Sequence, residues 1–498
     1  MTQTAEGASA TLRTRMQGAV IDAADPAYDE SRKVWNGSID RRPLAVARCA
    51  DEADVQAAVR FAVEMGIDLA VRGGAHSMSG ASVVDDGLVI DLSGMNQVRV
   101  DPEARTAVVG GGALLSDLDA ATQAHGLAVP AGLISHTGVG GLTLGGGMGW
   151  LSRIGGLTID NLLSARVVTA DGEVRVASPT ENPDLFWAIR GGGGNFGVVT
   201  EFEFALHEAG PMIEFCMLFW SLEDGPAMLR RARDVIDALP DEVNVFVGGL
   251  NAPPEPFVPE QFQLQPGMAA IVVGFGSAEQ HAAVVADLQD GAPAPLFQFA
   301  TPMPYVALQQ MLDEANAWGL HCYDKGCYVE ELSDEVIDVV AEHLPNKVSP
   351  LSLVLFYRLD GAFSRVGEDD TAFGGGRSPR FAVFVIGVCP VPEMFEPERA
   401  WVRGFAQALM PLATDDGVLR QRGHGLRRGR GARGVRKEVR PPGRHQGHLR
   451  PGQRLPRQRE HLPGVVVARV TPAVWRQPPP SARAGPRCAS EAPGPPPW

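Results

Sequence analysis

The sequence predicts an α+β protein in which a glycine-dense mixed domain precedes a domain of antiparallel sheet covered by helices on one face. Three observations carry this. Residues 43–205 alternate helical and strand signals at short spacing, with four glycine clusters set among them. Residues 210–415 change to long β-rich apolar runs separated by amphipathic stretches. A chain of 498 residues with 45% hydrophobic content holds enough material for two or three sizeable cores.

The first domain is expected over residues 35–208, after an N-terminal extension of residues 1–34. DEADVQAAVRFAVEMG reads as a helix: Asp51 can cap it, Val55, Val59, Ala62 and Val63 repeat on one face, and Gly66 stops it. DLAVRGG, LVIDLSGM and TAVVGGG read as strands. LLSDLDAATQAHG reads as a helix started by Ser116 and ended by Gly126, and ARVVTADGEVRVAS as a hairpin turning at Asp171 and Gly172. In the second domain, residues 209–417, AAIVVGFG, LSLVLFYRL and RFAVFVIGVC read as strands. AMLRRARDVIDAL and DEVIDVVAEHL read as the helices that cover one face of their sheet.

Composition narrows the function classes. The first twenty residues contain no continuous apolar run, so neither a signal peptide nor a membrane span is expected, and a cytoplasmic location is the default. Cys49, Cys216, Cys322, Cys327 and Cys389 are scattered through the body, with only Cys322 and Cys327 close together. A disulfide framework or a metal site is therefore not expected. The formal net charge of -15 hides a break after Gly417. From Val418 onward there are 18 Lys and Arg against 3 Asp and Glu, and 14 of the 39 prolines; the residues before it hold 26 against 56.

The glycine clusters are RGGAHSMSG (72–80), GGG (110–112), AGLISHTGVGGLTLGGGMG (131–149) and RGGGGNFGVVT (190–200). Glycine admits close approach of backbone to a ligand and positive φ. Any one cluster reads equally well as a tight turn, but four in one domain suit a long, flat, phosphate-bearing ligand held by main-chain N–H groups, as a dinucleotide is. No cluster ends in the Gly-Lys-Ser/Thr of a triphosphate loop. The one G-x-G-x-x-G match, Gly192, Gly194 and Gly197, follows a helical stretch and precedes a strand, the reverse of the Rossmann order, and is a chance match.

RGGAHS resembles the flavin-attachment loop of the berberine bridge enzyme-like family, within the PCMH-type FAD-binding superfamily that includes vanillyl-alcohol oxidase. The resemblance continues through GVGGLTLGGGMGWLSRIGGLTIDNL, VVTADGEVRVAS, ENPDLFWAIRGGGGNFGVVTEFEF and DGAFSRVGEDDTAF, in the family's order, over most of residues 35–415. It implies a PCMH-type FAD-binding domain followed by a substrate domain. It implies that Arg72, Gly73, Gly74, Ala75, His76 and Ser77 wrap the FAD pyrophosphate and that the His76 imidazole bonds covalently to the flavin 8α-methyl. Gly80, Gly132, Thr137, Gly138, Gly140, Gly141, Leu157, Asn161 and Val199 are the other implied FAD contacts. Many relatives make a second flavin bond through a cysteine four positions before GVGG; that position is Ile134 here, so a single covalent bond is expected. Thr137 falls where the family's oxygen-gating residue sits, which leaves oxidase against dehydrogenase open.

The implied reaction takes a hydride from a C–H of an alcohol, sugar or secondary metabolite to flavin N5, while a base on the substrate-domain sheet takes a proton; O2 or another acceptor reoxidises the flavin. Tyr357 is the leading candidate for that base, with Tyr323 and Tyr328 behind it. Against this stands a tyrosine that merely packs at the sheet. Cys322 and Cys327 read as buried thiols. Small-molecule partners are expected, with no nucleic acid and no membrane; the oligomeric state is not readable.

The resemblance stops near Gly417. Codons can be chosen for residues 418–462 so that the same nucleotides, read one base later, encode the family's usual ending, which points to a one-base frameshift near Gly417. The tail as written, rich in Arg and Pro, cannot bury a core and is expected to be disordered. The competing reading of its charge is a polyanion-binding arm.

Overall fold

The computed structural model describes residues 5–414. The expectations for the Arg/Pro-rich tail from Val418 lie outside those residues.

The first half, where the FAD-binding domain is expected, begins with helix α1 (Ala5–Arg13), strand β1 (Ala19–Asp22) and the single turn α2 (Tyr28–Ser31). β1 pairs antiparallel with β2 (Ala45–Arg48), which runs parallel to β4 (Leu88–Asp91), itself parallel to β3 (Leu69–Arg72). Residues 19–22, placed by the sequence reading in the N-terminal extension, are thus the edge strand of this four-stranded sheet. Helix α3 (Glu52–Met65) packs on it, begun by Asp51, whose side chain accepts from the Asp54 N–H, and ended by Gly66 at φ 64°. Val63, expected on the apolar face, is 53% exposed: Val55, Ala58, Val59, Phe61 and Ala62 already fill the buried arc.

A second sheet is antiparallel, in the order β5 (Val98–Asp101), β6 (Thr106–Gly110), β10 (Val198–Ala205), β8 (Leu162–Val168), β9 (Val174–Ala177). The hairpin of β8 and β9 turns through Asp171 and Gly172, the latter at φ 75°. Helix α4 (Leu115–Gln123) is capped at Leu114, two residues before Ser116. The Asp117 carboxylate accepts from the Leu114 N–H, while the Ser116 N–H is spent on the Ser135 carbonyl, which ties the helix start to the 131–149 segment. Strand β7 (Leu127–Ala128) pairs with β11 (His207–Glu208), and helices α5 (Val139–Gly145), α6 (Ser152–Gly155) and α7 (Pro183–Ile189) complete this half. Gly192, Gly194 and Gly197 lie between α7 and β10, as their order predicted.

The second half, where the substrate domain is expected, is a seven-stranded antiparallel sheet. Its strands are β12 (Met212–Ser221), β13 (Val243–Asn251), β14 (Pro266–Gly274), β15 (Phe297–Pro304), β16 (His321–Val329), β17 (Leu353–Leu359) and β18 (Arg380–Cys389), in the spatial order β15-β12-β14-β13-β17-β18-β16. Helices α8 (Gly225–Ile236), α9 (Ala278–Gln289), α11 (Asp334–His343) and α13 (Phe395–Leu409) cover one face. There Trp220, Val245, Val272, Phe356, Val383 and Phe405 form one core. The other face turns to the FAD half: Phe215, Phe219, Phe246 and Phe297 pack with Leu133, Trp150 and Leu151 and with Tyr305 of α10 (Tyr305–Gln310).

Buried ion pairs join the halves. Arg377 grips Asp160 through two hydrogen bonds of 2.8 Å, with both side chains 5% exposed or less, and its guanidinium lies over Phe363 of α12 (Ala362–Arg365) and over Phe373. Arg153 of α6 pairs with Asp360 at 2.7 Å and donates to the Val243 carbonyl. Such pairs add little net stability over an apolar contact, but leaving either partner alone is costly, so they fix one mutual register of the halves.

Candidate active site

The segment after β3 holds the site. Residues 73–80 leave the parallel sheet as an irregular loop, and Ala75, which is buried, sits at φ 53°. A left-handed alanine is strained, and such positions persist only where the surroundings over-determine them. Gly74 lies against Gly138: a Cβ on Gly74 would stand 2.3 Å from the Gly138 nitrogen, so the loop after β3 and the segment that opens α5 meet backbone to backbone. A Cβ on Gly73 or on Gly140 would approach the Gly111 carbonyl at 3.2 and 3.1 Å, which brings the GGG cluster to the same place. Three of the four glycine clusters therefore converge.

The main-chain N–H groups of residues 74–79 find no acceptor among the described residues. Consecutive free N–H groups in an irregular loop form an anion-binding concavity. The Arg72 guanidinium donates to the Ser31 carbonyl. On Gly141, which is exposed, a Cβ would meet no protein atom within 4 Å, so the start of α5 leaves room beside this backbone. These features fit the pyrophosphate and edge of a flavin dinucleotide.

His76 is stacked on Trp35, with ring centroids 4.2 Å apart and planes 16° from parallel. Its Nε2 lies 3.1 Å from Nδ1 of His136. Burial, reinforced by His136, pushes the His76 imidazole down to about 3, so it is neutral at physiological pH. Neither Trp35 nor His136 was anticipated from the sequence. His136 lies inside the cluster AGLISHTGVGG, so its neighbourhood was visible though its pairing was not; nothing local marks Trp35.

The remaining expected contacts divide by what their side chains do. Thr137 is half-buried beside Gly138, its carbonyl accepting from the Leu115 N–H. The Ser77 hydroxyl accepts from the Ala81 N–H, and Gly80, at φ 69°, packs on Ile39. Gly132 presents its carbonyl to Gln309 of α10. The Leu157 and Val199 side chains are in protein cores, and Asn161 spends its amide on the Gly155 and Leu157 carbonyls and on His207. Any contact these three make with a cofactor is through their main chain or through the loops they shape.

On the sheet, Tyr357 points toward the FAD half between Phe246 and Phe384, with centroids at 4.6 and 5.3 Å. Burial pushes its phenol well above the usual range, and its hydroxyl has no hydrogen-bond partner among the described residues. Burial therefore favours the protonated phenol, which can donate a hydrogen bond. Tyr328 shares that face but lies buried against Arg380, and Tyr323 is on the opposite face, where Arg403 donates to it. Cys322 and Cys327 are buried free thiols on opposite faces of β16.

Comparison with known proteins gives three results. The family of the FAD binding domain matches residues 43–178. An FAD-linked oxidoreductase of Dictyostelium discoideum is 30% identical over 404 residues, 80% of this chain and 86% of that one. (R)-6-hydroxynicotine oxidase of Paenarthrobacter nicotinovorans is 38% identical over 237 residues, 47% of this chain; the match spans 52%, about half, of that relative's length. Among solved structures, glucooligosaccharide oxidase from Acremonium strictum, described with a 6-S-cysteinyl, 8α-N1-histidyl FAD, superposes with a TM-score of 0.71 at 25% identity. It covers 82% of this chain and 89% of that one. Among the described residues no helix is long and apolar enough to cross a membrane.

Proposed function

Since the chain belongs to the berberine bridge enzyme-like FAD-linked oxidoreductases, we propose that it oxidises a small molecule at a carbon–hydrogen bond, with its FAD tethered through His76 alone. FAD is the cofactor, and when bound it supplies the hydride acceptor at N5. The substrate classes suggested by its relatives are alcohols, sugars and nitrogen heterocycles, with O2 or a second acceptor closing the cycle.

One observation carries the tether: a neutral imidazole, stacked on Trp35 and hydrogen-bonded through Nε2 to His136, within a loop of free N–H groups. When Nε2 carries the proton and donates it to His136 Nδ1, Nδ1 of His76 is the unprotonated nitrogen and the atom that would bond the flavin 8α-carbon. His136 would then stand where it can receive the Nε2 proton; the 8α-methyl would give up a proton, and the two electrons would pass to the flavin ring and on to O2 or another acceptor. Ile134 brings no thiol to the position of the cysteine in bicovalent relatives, which supports a single bond. Residues 74–79 would hold the pyrophosphate through their N–H groups, and the abutting 138–141 segment would close the other side. Tyr357 would donate a hydrogen bond to a substrate oxygen or nitrogen from the sheet.

The test is the visible spectrum of the purified chain before and after acid precipitation, followed by substrate addition without oxygen. Yellow colour in the pellet and bleaching by an alcohol, sugar or amine are expected. A colourless native protein that takes up no FAD would overturn the proposal.

A further inference from the structure

Strand register sorts every side chain of the seven-stranded sheet onto one of two faces, because residues opposite one another in an antiparallel pair point the same way. Tyr357 opposes Phe246 and Ala382, and Ala382 opposes Tyr328; Leu355 opposes Phe384, and Phe384 opposes Gly326; Leu353 opposes Ile386, and Ile386 opposes Asp324. All of these are on the side turned to the FAD half. Across β15, β12, β14 and β13 that face is sealed by the core around Trp150 and Leu133. Across β17, β18 and β16 none of the described residues seals it: Leu353, Leu355, Tyr357, Phe384, Ile386, Gly326 and Asp324 all keep partial exposure, while the residues between them on the helix side are mostly buried. These seven form one contiguous wall.

The wall is hydrocarbon and aromatic with a single carboxylate. Among the described residues of the seven strands, Asp324 and Arg380 are the only charged side chains on this face. Arg380 is fully buried at its far end against Tyr328. Asp324 makes no salt bridge and no side-chain hydrogen bond among the described residues; Lys325, the cation that acts on it, is on the reverse face, over the Tyr323 ring. Its position relative to the tether is fixed by its own strand. Two residues before it, about 6.6 Å along a strand, Cys322 packs with Trp35 and Met78 and is held to Asn36 at both its N–H and its carbonyl. Trp35 is the ring stacked on His76. An unpaired carboxylate among Leu, Ile and Phe is costly unless something cationic meets it or it takes up a proton. A polyhydroxylated sugar, in contrast, needs several donors and acceptors, and this wall offers Asp324 and the Tyr357 hydroxyl only.

We infer that Asp324 is the anchor for the ammonium group of a largely apolar, ring-bearing amine, and that such amines rather than sugars are the substrate class of this site. The inference rests on the flavin-oxidoreductase reading above and deepens it. In the free protein, burial pushes the Asp324 carboxyl up to about 7 against the opposing pull of Lys325. A bound cation reverses this, so amine binding below pH 7 must displace the Asp324 proton. The other ionisable groups on this side are Tyr357 and Tyr328, both raised far above neutrality by burial, Cys322, raised to about 12, Arg380, and His76 and His136 on the FAD half. Of these, His76 is held neutral, and removing Asp324 isolates its part from that of His136.

The experiment is titration calorimetry on the flavin-loaded full chain with 2-phenylpropan-2-amine, which has no α-hydrogen to lose. Its isosteric alcohol, 2-phenylpropan-2-ol, and cellobiose serve as comparisons. At pH 8 the amine should bind at least about tenfold more tightly than the alcohol, and its affinity should fall by up to about tenfold per pH unit below pH 7. Asp324→Asn should remove both the preference and the pH dependence while leaving alcohol binding within about twofold, and Asp324→Glu should keep the preference. If Asp324→Asn does not fold, the wild type decides alone: at pH 6 the apparent enthalpy must shift between buffers of different ionisation enthalpy, reporting a released proton. Equal affinity for amine and alcohol, a preference that survives Asp324→Asn, cellobiose binding in place of the amine, or no amine binding at millimolar concentration would each overturn the inference. A yellow protein with any of those results sinks this inference alone; a colourless one sinks the reading beneath it.

Discussion

Replacing Gly74 with alanine adds one methyl group at the point where the two loops proposed to hold the flavin meet. The new Cβ would stand 2.3 Å from the Gly138 nitrogen, 2.6 Å from its Cα and 3.0 Å from a Leu114 methyl, where ordinary contact begins at 3.4 Å. Two of these three neighbours are backbone, so the strain cannot be relieved by a rotamer change, and the loops must part by about 1 Å, a misplacement that costs on the order of a hundredfold in productive geometry. Overpacking of this kind also costs about 1–3 kcal/mol of stability. The assay is the rate at which flavin becomes acid-precipitable with the polypeptide after FAD is added to apoprotein, read beside a thermal melt. Gly74→Ala should be slowed about a hundredfold and melt lower. Gly404→Ala, on the exposed side of α13 with nothing within 4 Å, should behave as wild type or gain up to about 1 kcal/mol. Gly141→Ala should leave the apoprotein melt unchanged but weaken flavin uptake, since its methyl meets no protein atom within 4 Å. Wild-type uptake by Gly74→Ala would refute the abutting-loop cradle.

Three further outcomes follow from the same geometry. Substituting His136 by alanine removes the group that can receive the His76 Nε2 proton, so covalent flavin should form about 10²–10⁴-fold more slowly while FAD still binds non-covalently; an unchanged rate of attachment would exclude that role. Asp119 of α4 is buried, bonded at one oxygen to Gln309 and unpartnered at the other, and burial raises its carboxyl to about 7. Because the folded state holds this proton more tightly than the unfolded chain, stability from this group is full below about pH 4 and is lost as pH rises toward 7, by at most about 1.4 kcal/mol per pH unit. Asp119→Asn should flatten the fall in melting temperature between pH 5 and 8, and identical slopes would count against a protonated Asp119. Finally, Arg377→Ala strands the Asp160 carboxylate in the contact between the halves and should cost about 3–5 kcal/mol in urea denaturation; a loss below about 1 kcal/mol would mean that the pair does not lock the halves together.

What the sequence disclosed was mainly backbone. Glycine marks places where main chain must pass close to something, and the convergence of the 72–80, 110–112 and 131–149 segments bears out that signal. β-rich apolar runs marked the strands of the second half, and the helical stretches between them the helices over one face. Smaller readings failed for local reasons. Ser116 was expected to cap α4, but its N–H was needed by the Ser135 carbonyl and Asp117 took the capping role. Val63 continued a periodic stripe beyond the arc that α3 buries. Side-chain direction was the harder matter. Arg72 and Asn161 sit within matching motifs, yet their polar groups are turned to Ser31 and to the 155–157 carbonyls. Trp35, His136 and Asp324 reach the site through packing between segments far apart in the chain, which no local pattern encodes. The face on which Asp324 and Tyr357 lie becomes readable only when the register of β16, β17 and β18 is known.

The most direct measurement is peptide mass mapping of the acid-precipitated full chain under ultraviolet illumination. The account predicts one fluorescent peptide carrying the flavin mass on His76, and none in His76→Ala. Flavin released entirely into the supernatant, or found on any other residue, would contradict it.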